Sequence, residues 1–157
     1  MISEPSNPWV SGVSGLFSDE FYRHVKGYLQ DDGLFVQWVQ MYEIDMPLIT
    51  SIFKTFAENF SDYTVYEMDG KMDLVIVGKA KGSLGGLKTD ALQFPAFRSA
   101  VSRVHINDLQ DISIRQIGSK KDLNPQSQIQ IPINSDYFPF LDQHAAKARF
   151  MNPGTPP

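Results

Sequence analysis

Glu4 and Gln37 are the two residues whose chemistry stands out from its surroundings. Glu4 lies in the run Ile2-Ser-Glu-Pro-Ser-Asn-Pro-Trp9, where Pro5 and Pro8 forbid a regular helix or a central strand. Its carboxylate therefore belongs to a loop leaving something short. Beside an apolar wall, such a carboxylate can take a proton as a general base or hold an amine cation. Gln37 is the sole polar residue of Leu34-Phe-Val-Gln-Trp-Val39, so its amide needs a partner, protein or ligand. In open α/β sheets ligands sit beyond the carboxyl ends of the strands. That rule adds Asn7 and Trp9 after the first strand, and Tyr42 and Glu43 after the run holding Gln37, as candidate ligand-binding residues.

Other chemistry is poorly supplied. His24, His105 and His144 are isolated, no His-Glu-x-x-His occurs and there is no cysteine, so no metal or thiolate site is expected. Gly12-Val-Ser-Gly15 lacks the spacing of a nucleophile elbow. Lys81-Gly-Ser-Leu-Gly-Gly-Leu-Lys-Thr89 has the residues of a phosphate loop in the wrong order. Asn59-Phe-Ser61 is a glycosylation triplet inside a helical pattern and reads as accidental.

The elements that position these residues follow from caps and periodicity. Ser18 is a good N-cap, with Asp19 and Glu20 in a first turn that suits negative charge and Phe17 able to staple to Tyr22. A helix is predicted from Asp19 to about Gln30, with Phe21, Tyr22, Val25 and Leu29 on one stripe. Residues 34–39 are apolar at both parities, which predicts a strand covered on both sides and hence a parallel sheet between helix layers. A second helix begins near Asp45 and buries Leu48, Ile49, Ile52, Phe53, Phe56 and Phe60. Tyr63–Met68 and Met72–Val77 form a hairpin through Asp69-Gly70, and the sheet is expected to end there. Lys79–Thr89 reads as a linker. Leu92–Val104 is a short helix broken early by Pro95, 106–117 is ambiguous between helix and strand, and 120–130 is polar. Residues 81–150 thus form a weaker, mostly helical or irregular extension, and 151–157 a disordered tail.

At 157 residues, with 42% hydrophobic and 12% aromatic, the chain is long enough for one globular domain with its own core, at roughly 100–200 residues per domain. No stretch nears the ~18 apolar residues of a transmembrane helix, and Met1 to Pro8 have no signal-peptide character, so a cytoplasmic protein is expected. Residues 1–80 hold 5 basic and 12 acidic groups (−7), and 81–157 hold 9 and 6 (+3), which sum to the net −4. This balance argues against nucleic acid as a partner. The acidic first half favours a cationic small molecule.

Ile2-Ser-Glu-Pro-Ser-Asn-Pro-Trp9, Gly15-Leu-Phe-Ser-Asp-Glu-Phe-Tyr22, Asp32-Gly-Leu-Phe-Val-Gln-Trp38 and Asp73-Leu-Val-Ile-Val-Gly78 together resemble the second half of the spermidine/spermine synthase (polyamine aminopropyltransferase) family. Pro132-Ile-Asn-Ser-Asp-Tyr-Phe-Pro139 and Ala148-Arg-Phe150 resemble the tail of large bacterial members. The resemblance implies that residues 1–80 are the C-terminal half of a methyltransferase-like, Rossmann-type α/β sheet. On such a sheet an aminopropyl group passes from decarboxylated S-adenosylmethionine, a co-substrate, to a polyamine, with no cofactor or metal. The family's Asp-x-x-Asp pair, one acid taking the amine proton and the other holding the cation, corresponds here to Glu4 and Asn7. Gln37 corresponds to a strand glutamine near the substrate pocket. The family's donor-binding first half has no counterpart here, so the isolated chain is expected to be an inactive fragment, completed by a missing N-terminal half or by a second copy. Two alternatives remain: a non-catalytic dimerisation or complementation module, and a small-molecule methyltransferase relative, whose Asn-Pro-Pro-aromatic loop Asn7-Pro-Trp9 partly resembles.

Overall fold

The computed structural model describes residues 1–6, 10, 12–41, 44–68, 73–123 and 130–144. A short strand β1 (Ile2–Ser3) leads through a 3₁₀ turn (Ser14–Phe17) into helix α1 (Asp19–Tyr28). The Ser18 hydroxyl accepts the Phe21 N–H at 3.2 Å as N-cap, and the helix buries Tyr22 and Val25. Strand β2 (Leu34–Gln40) and helix α2 (Met46–Asn59) follow. Asp45 caps α2 by accepting the Leu48 N–H at 3.1 Å, and Pro47 fits the first turn, where no intrahelical N–H bond is lost. At the far end the Lys120 ammonium donates to the Ala57 and Phe60 carbonyls at 2.8 and 2.6 Å. A cation there satisfies carbonyls the helix leaves unpaired.

Strands β3 (Asp62–Glu67) and β4 (Asp73–Lys79) pair antiparallel, and a fifth strand, β5 (Gln116–Ser119), joins the outer edge of β3. The result is a mixed α/β fold built on an open five-stranded sheet of order β1-β2-β4-β3-β5. β1 and β2 run parallel, while β4 is inserted antiparallel between β2 and β3. Helices α1 and α2 carry the crossovers from β1 to β2 and from β2 to β3. Between β4 and β5 lie a second 3₁₀ turn (Asp90–Gln93), helix α3 (Pro95–Ser102) and the short helix α4 (Leu109–Ser113).

One core fills the space between α1, α2 and one face of the sheet. Phe35 and Val39 of β2, Tyr63 and Val65 of β3 and Leu74 and Ile76 of β4 meet Tyr22, Leu48, Ile52, Phe56 and Phe60. Phe56 and Phe60 stack with ring centroids 4.2 Å apart, and Tyr22 meets Phe56 edge-on at 5.2 Å, both favourable aromatic geometries.

Two expectations are corrected. The sheet is not a parallel one between helix layers: each pairing except β1–β2 is antiparallel. Phe35, Gln37 and Val39 are buried under the helices, whereas Val36, Trp38 and Gln40 are only half-buried on the opposite face. The apolar residues at both parities thus reflect a covered face and a half-open one. The sheet does not end at the hairpin, because β5 extends it. The described part of the extension at 131–141 returns to the same core: Leu141 is wholly buried there, and residues 131–134 bond to α2. The Asp69-Gly70 turn and the tail 151–157 lie outside the described residues.

Candidate functional site

The cleft begins at the carboxyl end of the parallel pair. Ile2 stands opposite Val36 and Ser3 opposite Gln37. The alternation of strand side chains therefore sends Ser3 and Gln37 to the helix-covered face. Ile2, Val36 and Trp38 face the other way, and Glu4, just past β1, joins them. Trp38 stands beside Val75, and Gln40 beside Asp73, so Asp73 enters β4 at the end where β2 leaves the sheet. Ile2, Glu4, Val36, Trp38, Met68, Asp73 and Val75 line a cleft of about 320 Å³.

Its walls are apolar and aromatic, and its only charges among the described residues are the Glu4 and Asp73 carboxylates. A cation within 4 Å of one such carboxylate gains about 4 kcal/mol at the effective dielectric of a protein surface, before desolvation is subtracted. The Trp38 indole can add about 0.5–1 kcal/mol if the cation lies over its face. The arrangement can hold an alkylammonium, with methylene groups on Val36, Val75 and Trp38 and the charged head between the acids. Glu4 is exposed, so its carboxylate is open to solvent and to a ligand entering the cleft.

Gln37 does not reach this cleft. It is fully buried on the opposite face of the sheet, where its amide nitrogen donates to the Trp38 carbonyl at 3.3 Å. Its Oε1 has no hydrogen-bond partner among the described residues. Glu4 and Gln37 are thus separated by the thickness of the sheet. Asn7, Trp9, Tyr42 and Glu43 lie outside the described residues. Sequence reasoning passed over Trp38, Met68 and Asp73. The signal for Trp38 was its parity, because a strand that buries Gln37 must turn its neighbours to the other face.

A second cleft of about 310 Å³ lies where residues 84–87 cross the outer face of β3 and β5, lined by Asp62, Thr64, Tyr66, Gln116, Ser119 and Lys121 among others. The Leu84 N–H donates to Asp62 at 2.8 Å, which ties the loop to the sheet. The remaining sequence candidates have structural partners. Asn59 is 5% exposed and its amide donates to Asp19 at 2.7 Å and to the Thr55 carbonyl at 3.0 Å, so it is inaccessible to glycosylation. Ser14 is buried in the first 3₁₀ turn. His144 contacts the Phe140 carbonyl and stacks on the Phe140 ring. Among the described residues no three acidic, histidine or cysteine side chains gather as a metal site would require.

Burial raises the hydroxyl pKa of Tyr22 far above its ordinary value and pushes Tyr63 up to about 12. Both are core residues that act as apolar bulk at neutral pH. Comparison with protein-family models and with curated proteins finds no match to this chain.

Proposed function

We propose that the chain is the C-terminal part of a spermidine synthase-like aminopropyltransferase, and that the cleft beside Glu4 takes the acceptor amine. The observation that carries this reading is the meeting of Glu4, Asp73 and Trp38 at the carboxyl end of the parallel β1–β2 pair. Two further points support it: the sequence blocks quoted above, and the crossovers that leave β1, β2 and β3 running in one direction, as a methyltransferase-like sheet requires. Glu4 accepts the proton that the amine must lose. The amine nitrogen attacks the propyl carbon bonded to the sulfonium sulfur, that carbon–sulfur bond breaks, and methylthioadenosine leaves with the electron pair. Position 7 is Asn, so the second carboxylate for the cation comes from Asp73 across the cleft.

Calorimetric titration of the 157-residue chain with putrescine and spermidine tests this, with butanediol as the uncharged control. Binding of the diamines but not the diol is expected. Glu4→Gln or Asp73→Asn should each weaken it roughly 10- to 100-fold, the worth of a charge-assisted hydrogen bond. Equal affinity in wild type and both variants would overturn the assignment. In a protein completed by a donor-binding half, Glu4→Gln should also slow turnover about 10²- to 10⁴-fold.

One observation favours the second reading, a module that pairs with another chain. β1 stands at the edge of the sheet with Ile2 76% exposed, and a bare edge is a template for strand addition. Sedimentation equilibrium separates the two: a tight dimer without diamine affinity favours the module.

A further inference from the structure

We propose that the second cleft, on the outer face of β3 and β5, binds a free α-amino acid in its zwitterionic form. At about 310 Å³ it stands at the small end of ligand pockets, roughly 300–1,000 Å³, a size that suits one small molecule. Strand parity sends Asp62, Thr64 and Tyr66 to this face, and Tyr63 and Val65 into the core. The antiparallel register sets Ser119 beside Thr64 and Gln116 beside Tyr66, and the Lys120 N–H donates to the Tyr63 carbonyl at 2.9 Å. Lys121 therefore stands at the Asp62 end. An anion and a cation thus share one end of the cleft, and an aromatic ring lies at the other. Thr64 and Tyr66 follow Asp62 at roughly 7 and 13 Å along the strand, at about 3.3 Å per residue.

The two charges line one cleft without pairing. The ion pairs among the described residues include neither Asp62 nor Lys121. The Leu84 N–H fixes Asp62 through Oδ2, while Oδ1 and the Thr64 hydroxyl have no hydrogen-bond partner among the described residues. An ammonium group fits those two acceptors. The N–H groups of Gly85 and Gly86 donate to nothing among the described residues, and a Cβ at either glycine would meet no atom within 4 Å. A ligand can therefore approach this backbone closely, and with Lys121 it supplies the donors that a carboxylate needs. The neighbouring charges cancel and favour neither net sign. Lys79 stands opposite Asp62 in β4, Asp122 beside Lys121 is engaged by the Ser119 N–H and hydroxyl, and Lys81 is paired with Asp31. Lys88 and Asp90 follow the loop with opposite signs, and Lys120 is turned to the end of α2. A molecule carrying both charges on adjacent atoms satisfies donors and acceptors together. Its side chain then runs past Thr64 to the Tyr66 ring, where an aromatic group can stack.

Nuclear magnetic resonance titration of the full chain tests this, because the amide signals of residues 84–87 and 116–119 report on this cleft and not on the one beside Glu4. The probes are L-phenylalanine, phenethylamine, which lacks the carboxylate, and phenylpropionate, which lacks the ammonium. The amino acid should shift these signals, and each analogue should bind roughly tenfold more weakly, the worth of one charge-assisted hydrogen bond at a partly open site. Asp62→Asn keeps an oxygen for the Leu84 N–H and removes the charge. It should abolish the preference for the amino acid over phenylpropionate and retain the preference over phenethylamine. Lys121→Gln should do the reverse. The preference that each variant retains shows that its cleft is intact. No shift with the amino acid, equal affinity for all three probes, or preferences unchanged by both substitutions would overturn the proposal. Shifts with glucose and none with the amino acid would also overturn it, by giving the cleft to a neutral polyol.

Discussion

Two buried side-chain amides in this molecule are in opposite situations, and substitution should separate them. Asn134 is 1% exposed and fully used: its Nδ2 donates to the Ser14 carbonyl at 2.9 Å and its Oδ1 accepts the Leu141 N–H at 3.1 Å. Removing a partner from a buried polar group costs about 1–3 kcal/mol. Asn134→Ala strands two such groups, so urea unfolding should show a loss on the order of 2–4 kcal/mol. Gln37, equally buried, leaves its Oε1 unpartnered among the described residues and makes one long hydrogen bond. Gln37→Leu keeps the volume and removes the stranded carbonyl, so the same measurement should show a gain of about 1 kcal/mol. A loss instead would show that the oxygen has a partner in solution. The sequence marked Gln37 as needing a partner, which is correct chemistry. It gave no sign of which face Gln37 would occupy, because that depends on which parity of β2 the helices cover.

The packing of α2 against the sheet turns on Gly78 in β4. A Cβ there would lie 2.5 Å from one Phe56 ring carbon and 3.2 Å from a Phe60 ring carbon. Phe56 is held in turn by Tyr22, Phe35, Phe60 and Tyr63, so the ring cannot swing away cheaply. Gly78→Ala should therefore destabilise by about 1–3 kcal/mol through overpacking. Pairing it with Phe56→Leu should recover part of that loss in a double-mutant cycle, and strictly additive losses would refute the steric account. At this scale the helices were legible in the sequence, because a cap residue and an apolar stripe are local signals: Ser18 caps where expected, and the second helix begins beside Asp45 as expected. The helix ends differ by a residue or two, α1 stopping at Tyr28 and α2 at Asn59 with Phe60 as its C-cap. β5 was not legible. Gln116-Ile-Gly-Ser119 has no apolar face to bury, Ile117 is 48% exposed, and the strand is held to β3 by backbone pairing that is irregular between Val65 and Tyr66. Trp38 and Asp73 escaped for a related reason, since their meeting depends on the register between β2 and β4, which no local pattern encodes.

The molecule closes on itself through residues 131–144, whose bonds return to α1 and α2 across 77 to 116 residues of chain. Ser51 donates to the Pro132 carbonyl, Lys54 to the Ile131 carbonyl and the Asn134 N–H to the Thr55 hydroxyl, each at 2.8 Å. Glu20, in the first turn of α1, completes the closure by accepting the Asp136 N–H at 2.9 Å and the Ser135 hydroxyl at 3.0 Å. Partial burial works to raise its pKa, but the bonds from Asp136 and Ser135 prevail and hold the carboxyl below its ordinary value near 4.5. A carboxyl depressed in the folded state contributes stability that is fully present above the unfolded-state value and is lost as pH falls through the folded one. Glu20→Gln should therefore be less stable than wild type at pH 7. Below pH 4.5 the two proteins should converge as the wild-type carboxyl takes up its proton. Denaturant unfolding of both across that range measures the convergence. A gap that stays constant with pH would show that the bonds to Ser135 and Asp136 matter for their geometry and not for the charge on Glu20. The acid limb of the stability curve would then have to arise from Asp31, Asp111 and Asp122, whose carboxyls are also held low by hydrogen bonds, although each is exposed and carries less weight per group.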